Sequence, residues 1–201
     1  YTMTEAVKDG ITVNLVYDGR AAKVMLNQDK VRQIEEYYAQ CELEGANEHQ
    51  VEESQKAVAK MEVIIGDPDR LRAVAEDFIK HYETRVAEGA TVAGKAMFVC
   101  SNRNIAYDFY KIVKELRPEW TEKKICDDGV VLSEKDKKEL KPMEKIKLVM
   151  TRNKDDEKDL FDMLGTKEDR KEFDRQFKNP KSNFKIAIVV DMWLTGFDVP
   201  E

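Results

Sequence analysis

At 201 residues and 42% hydrophobic content, the chain can bury a core of its own, as one domain or one domain with an appendage. Charged residues make up 37% and the formal net charge is −6, with no strong basic tract and no run near the ~20 apolar residues of a membrane-spanning helix. The opening YTMTEAVKDG lacks the basic and apolar segments of a signal peptide, and it starts at Tyr1 rather than Met, so a cytoplasmic piece of a larger protein is expected.

ITVNLVY, at 11–17, alternates apolar and polar residues and predicts a strand. Residues 31–66 read as an acidic helical insert, broken near Gly45-Ala46-Asn47. Between Glu35 and Glu62 stand eight Glu against two Lys, so the acidity of the whole chain is gathered there and the remainder is neutral. The stretch from Asp67 predicts a helix capped by Asp67 with Pro68 in its first turn. Its apolar stripe is Leu71, Val74, Ala75, Phe78, Ile79, Tyr82 and Val86, the inward face of an amphipathic helix.

KAMFVCS, at 95–101, predicts a buried strand, and NIAYDFYKIVKEL a helix after it that Pro118 ends. Its inward residues are Ala106, Phe109, Ile112, Val113 and Leu116. Residues 119–144 form a charged excursion with a small helix after Ser133. KIKLVM, at 145–150, is the next strand. Thr166 and Asp169 make a capping box that opens a helix with Phe173 and Phe177 inward, stopped near Asn179-Pro180. FKIAIVV closes the series as a continuous apolar run, the pattern of a strand covered on both faces. From residue 95 the order is strand, helix, strand, helix, strand. This is a doubly wound α/β pattern, and the strands at 95–101, 145–150 and 185–190 are expected in one parallel sheet.

Cys41, Cys100 and Cys126 form no CxxC or zinc spacing, and with only two histidines no metal site is expected. GATVAGKA, at 89–96, imitates a phosphate-binding loop, but Ala96 stands where a magnesium-holding hydroxyl is needed. A helix precedes it and a strand follows, the reverse of the arrangement that aims amides at phosphate, so it reads as an ordinary turn. Acid-x-Lys triplets such as Asp136-Lys137-Lys138 sit in a charge-dense stretch where they arise by chance. The remaining candidates lie beyond the carboxyl ends of the three strands, where open α/β sheets bind ligands. They are Ser101-Asn102-Arg103, Thr151-Arg152-Asn153, and Asp191 through Asp198. Hydroxyls, amides and Arg suit phosphates. Ordinary caps and turns would use the same residues.

KIAIVVDMWLTGFDVP, at 185–200, resembles motif V of the restriction (R) subunit of type I restriction-modification enzymes, including its unusual Trp. KAMFVCSNRNIA resembles motif IV of that family. EDRKEFDRQFK resembles the helix before motif V, and EAVKDGITVNLVYDGR the junction into the second motor lobe. The resemblance implies a superfamily-two motor with two RecA-like lobes, and an RecA-like, mainly parallel α/β fold for this chain. It divides the chain into 1–30, junction and first strand; 31–66, helical insert; and 67–201, the second lobe up to motif V.

What the family implies for function is ATP-dependent translocation of double-stranded DNA coupled to cleavage. Gly196 and Asp198 would face the nucleotide. Thr195, Ser101 and Arg103 would contact DNA phosphates, and Trp193 would pack the loop. ATP and Mg would be bound largely by the first lobe, which carries the P-loop and acidic motif. Further partners would be the modification and specificity subunits. This chain has no P-loop, acidic motif or nuclease motif of its own, so alone it is expected to be catalytically incomplete. The alternative is a non-catalytic DNA-binding or protein-interaction module on the same fold.

Overall fold

The computed structural model describes residues 2–10, 19, 64–89 and 94–193. The strand expected at 11–17, nearly all of the acidic insert and the residues after Trp193 lie outside the described residues.

A short helix, α1 (Met3–Lys8), is opened by a capping box between Thr2 and Glu5. Helix α2 (Pro68–Ala87) starts as its sequence predicts, with the Asp67 carboxylate accepting the Arg70 N–H at 3.3 Å. Leu71, Ala75, Ile79 and Tyr82 are buried on its inner face, with Val74 and Phe78 packed at the margin. Val86, placed in the stripe by periodicity, is 40% exposed, because it sits in the last turn beyond the core's edge.

Strand β1 (Ala96–Val99) leads to α3 (Arg103–Leu116), whose N-cap Asn102 accepts the Ile105 N–H at 2.9 Å. Ile105 and Tyr110 join Ala106, Phe109 and Val113 as its buried residues, while Ile112 and Leu116 are half-buried. The 119–144 excursion is tied down at several points. A 3-10 turn at Pro118–Thr121 buries Trp120 edge-on to Tyr82, with ring centroids 5.4 Å apart. Lys124 and Met143 form an antiparallel bridge, and helix α4 (Glu134–Glu139) follows the Ser133 cap. Asp136 is used structurally: hydrogen bonds from Lys181 and then Ser133 hold its carboxyl well below the usual range.

Strand β2 (Ile146–Val149) is followed by α5 (Lys158–Leu164), a helix that sequence periodicity missed. Gly165 ends it at φ 64° and ψ −179°, a conformation essentially restricted to glycine, and an added Cβ would sit 2.7 Å from the Asp169 Cβ. Helix α6 (Lys167–Lys178) then opens on the expected box, with Thr166 N–H donating to Asp169 at 2.7 Å. Strand β3 (Ile186–Val189) comes last.

The three strands form one parallel sheet in the order β1-β3-β2, with Val189 level with both Val99 and Val149. Side chains alternate along β3. Ile186 and Ile188 enter the larger core with α2, α3 and α5, while Ala187 and Val189 enter a second core with Phe173 and Phe177 of α6. Helices therefore cover both faces, the RecA-like α/β arrangement. One expectation needs correction. Among the described residues β1 lies at one edge of this sheet and is only partly buried, with Val99 53% exposed, whereas β2 at the other edge is fully buried; the two edges differ in how much their neighbours cover them.

Candidate functional site at the carboxyl edge of the sheet

Level strand ends bring three loops to one edge: Ser101 onward after β1, Thr151 onward after β2, and Asp191 onward after β3. Ser101, Asn104, Thr151, Asn153 and Asp191 are exposed there. Several of their neighbours are already engaged. Asn102 caps α3. The Arg152 guanidinium lies 4.3 Å from the Phe161 ring centroid and donates through Nε to the Phe161 carbonyl at 2.8 Å. Both residues thus have structural work of the cap-and-turn kind.

Arg103 is engaged most fully. Its Nη1 donates to the Thr151 carbonyl at 2.6 Å, and its Nη2 donates to both Asp156 carboxylate oxygens at 2.6 Å. Asp156 also accepts the Asn153 N–H at 2.6 Å, and its side chain is 6% exposed. Nothing in the local sequence of Arg103 announces this partner, which lies 53 positions away.

Thr195, Gly196 and Asp198 lie outside the described residues. The chain can be followed to Trp193, which adopts a left-handed φ of 64° and sets its ring 5.3 Å from Phe177. Trp193 thereby joins the second core, which agrees with the expectation that it packs the loop. Among the described residues no group of three or more His, Cys, Asp or Glu is disposed to hold a metal ion. Asp156 is occupied by Arg103, so these side chains do not fit a magnesium site.

The glycine-rich decoy sits at the opposite edge, before β1. Lys95 Nζ donates to the Phe184 carbonyl at 2.6 Å and lies 5.0 Å from the Phe177 ring centroid. Burial first, and then Lys185, lower its pKa to about 7. A lysine whose folded pKa is depressed binds fewer protons folded than unfolded, so stability rises with pH from about 7 towards the ordinary lysine range. Burial pushes the Cys100 thiol up to about 12, which acts with the opposite sign above the ordinary thiol range. From about pH 7 to 8.5 the Cys100 effect is absent, and the rise comes from Lys95 together with its neighbour Lys185, whose pKa burial also lowers. Across this window, thermal stability should rise more steeply in the unmodified chain than in Lys95→Met. Equal slopes would show that the ammonium stays charged in the fold.

A helix-covered parallel sheet with polar loops converging on its carboxyl edge defines an α/β protein of the RecA-like class. A family model for type I restriction enzyme subunit R domain 3 matches residues 92–201. The type I restriction enzyme HindI endonuclease subunit of Haemophilus influenzae is 33% identical over 200 residues, covering 100% of this chain. A Methanocaldococcus jannaschii protein, provisionally named as the type I restriction enzyme MjaIXP endonuclease subunit, is 32% identical over 202 residues, again covering 100% of this chain. The chain belongs to the type I restriction enzyme R-subunit family. It spans 16% of the length of each of these two relatives. No solved structure matches it. No helix among the described residues is long and apolar enough to cross a membrane.

Proposed function

We propose that this chain is most of the second RecA-like motor lobe of a type I restriction subunit, in which ATP-driven translocation along double-stranded DNA is coupled to cleavage. The observation that carries the reading is the match along its whole length to endonuclease subunits of type I restriction enzymes. The parallel sheet supports it, since its carboxyl edge is where such a fold binds ligands.

In this reading the edge faces the first motor lobe, which supplies the phosphate cradle and the magnesium ligands. ATP bound between the lobes supplies the free energy of translocation. This chain's residues bind and orient: Gly196 lets backbone approach the nucleotide, and Asp198 accepts a hydrogen bond from it. Ser101 and Thr195 offer hydroxyls to DNA phosphates. The modification and specificity subunits complete the assembly, and the protein works in the cytoplasm.

The experiment compares the intact subunit, assembled with its modification and specificity partners, with the 201-residue chain alone. The assembly should show ATP hydrolysis stimulated by duplex DNA. The chain alone should show none, and no DNA cleavage, because transition-state charge in such motors is stabilised from both lobes. ATP turnover by the chain alone, abolished by changing one of its own residues, would overturn the reading. So would an intact assembly whose ATPase ignores DNA.

A further inference from the structure

β1 and β2 each pair with β3 and not with one another. Their backbones therefore stand two strand spacings apart, about 9–10 Å. Arg103, from the end of β1, closes that gap to reach Thr151 and Asp156 beyond the end of β2. The bridge thus spans the width of β3 at its carboxyl end. Both partners lead into helices of the same face, Arg103 into α3 and Asp156 into α5, and the buried residues of both helices belong to the larger core. The chain leaving β3 goes to the other face, where Trp193 lies against Phe177.

We propose that the Arg103–Asp156 pair is a positioning device, a bar across the end of β3 that turns the chain leaving that strand, Asp191 to Trp193, towards the α6 face. Its bearing on the roles of Thr195, Gly196 and Asp198, which follow in the sequence, rests on the function proposed above. The geometry suits a strut better than a phosphate ligand. Two guanidinium nitrogens act at once, Nη1 on the Thr151 carbonyl and Nη2 on the Asp156 carboxylate, a fixed planar spacing that the single ammonium nitrogen of lysine does not reproduce. Asp156, at 6% exposure, would be left as a buried unpaired charge if Arg103 turned away to DNA. The pair is neutral as a unit, so it releases no counterions on DNA binding.

The test uses the intact subunit carrying Arg103→Ala, Arg103→Lys or Asp156→Asn. Two quantities are read: amide hydrogen exchange in peptides covering 190–193, and the salt dependence of binding to duplex DNA. Each variant loses charge-assisted hydrogen bonds, so exchange at 190–193 should quicken by roughly ten-fold or more, with peptides from α2 unchanged. Arg103→Lys should fail as Arg103→Ala does, and Arg103→Ala should leave the salt slope unmoved. A slope that falls by about 0.9 in Arg103→Ala and returns in Arg103→Lys would make Arg103 a phosphate ligand and overturn the proposal. Unchanged exchange at 190–193, or equal acceleration throughout the lobe, would overturn it too. If the unmodified subunit neither binds DNA nor hydrolyses ATP, the functional reading fails, while the exchange measurement still decides whether the pair positions the loop.

Discussion

Replacing Phe109 with alanine should destabilise the chain by about 3–5 kcal/mol, the range for deleting a large aromatic from a packed core. Phe109 is fully buried on α3. Its ring stacks on Phe98 of β1 at 3.9 Å between centroids and meets Phe78 of α2 edge-on at 5.8 Å. One side chain of α3 therefore joins β1 to α2 within the larger core. The loss combines hydrophobic transfer with a cavity that these neighbours cannot fully close, and aromatic pairs add about 0.5–1.5 kcal/mol beyond area. At roughly 2–4 °C per kcal/mol for a domain of this size, the melting temperature should fall by about 6–20 °C. Val86→Ala gives the comparison. Val86 is 40% exposed, so its removal should change stability by no more than about 0.5 kcal/mol. Calorimetry of both variants checks the pair. Similar losses would mean that the stripe on α2 continues further than the burial shows.

Much of this fold was legible because its signals are local. Capping residues fixed the starts of α2, α4 and α6, each seen as a side chain accepting a backbone N–H three residues on. A continuous apolar run marked β3, and β2 was legible despite Lys147; the residues of both are all buried. Long-range facts were not legible. Chain order does not say which of the three parallel strands is central, nor how far each edge strand is covered: β1 was expected to be buried and is only partly so, while β2, the other edge among the described residues, is buried. Helix α5 was missed because its inward face is only Leu160 and Leu164, too few positions to establish a period, although Gly165 marks its end. Gln176 reads as a polar helix residue. Yet it is 1% exposed and ties α6 to the excursion through the Glu139 carbonyl at 2.9 Å.

The candidate site divides the same way. That three loops share one edge follows from the strand order and was expected. That Arg103 is committed to Asp156 was not, because a chain with 40 acidic residues offers too many partners for sequence alone to choose among. The imitation P-loop shows the converse. Its local pattern was persuasive, but its context was wrong, and the structure gives Lys95 a backbone carbonyl to hold and an aromatic ring beside it.

In the intact subunit, Asp198→Ala and Thr195→Ala should fail in different ways. In the proposed function, Asp198 would accept a hydrogen bond from a ribose hydroxyl of the nucleotide. A carboxylate accepting that bond makes a charge-assisted contact, and its loss costs about 1.5–3 kcal/mol. Nucleotide affinity or turnover should fall roughly ten- to a hundred-fold. Thr195 would offer a neutral hydroxyl to a DNA phosphate in the same proposal, worth about 0.5–1.5 kcal/mol. Its loss should weaken DNA stimulation of the ATPase and leave nucleotide affinity nearly intact. No charge changes at that position, so the salt slope of DNA binding should barely move. Nucleotide affinity and DNA-stimulated ATPase, measured side by side, separate the two roles. The difference matters because both residues follow Trp193 within five positions. A general disturbance of the loop would damage both ligands together, whereas distinct contacts damage one each. If Thr195→Ala lowers nucleotide affinity as far as Asp198→Ala does, or if neither substitution has an effect, this division of labour is wrong.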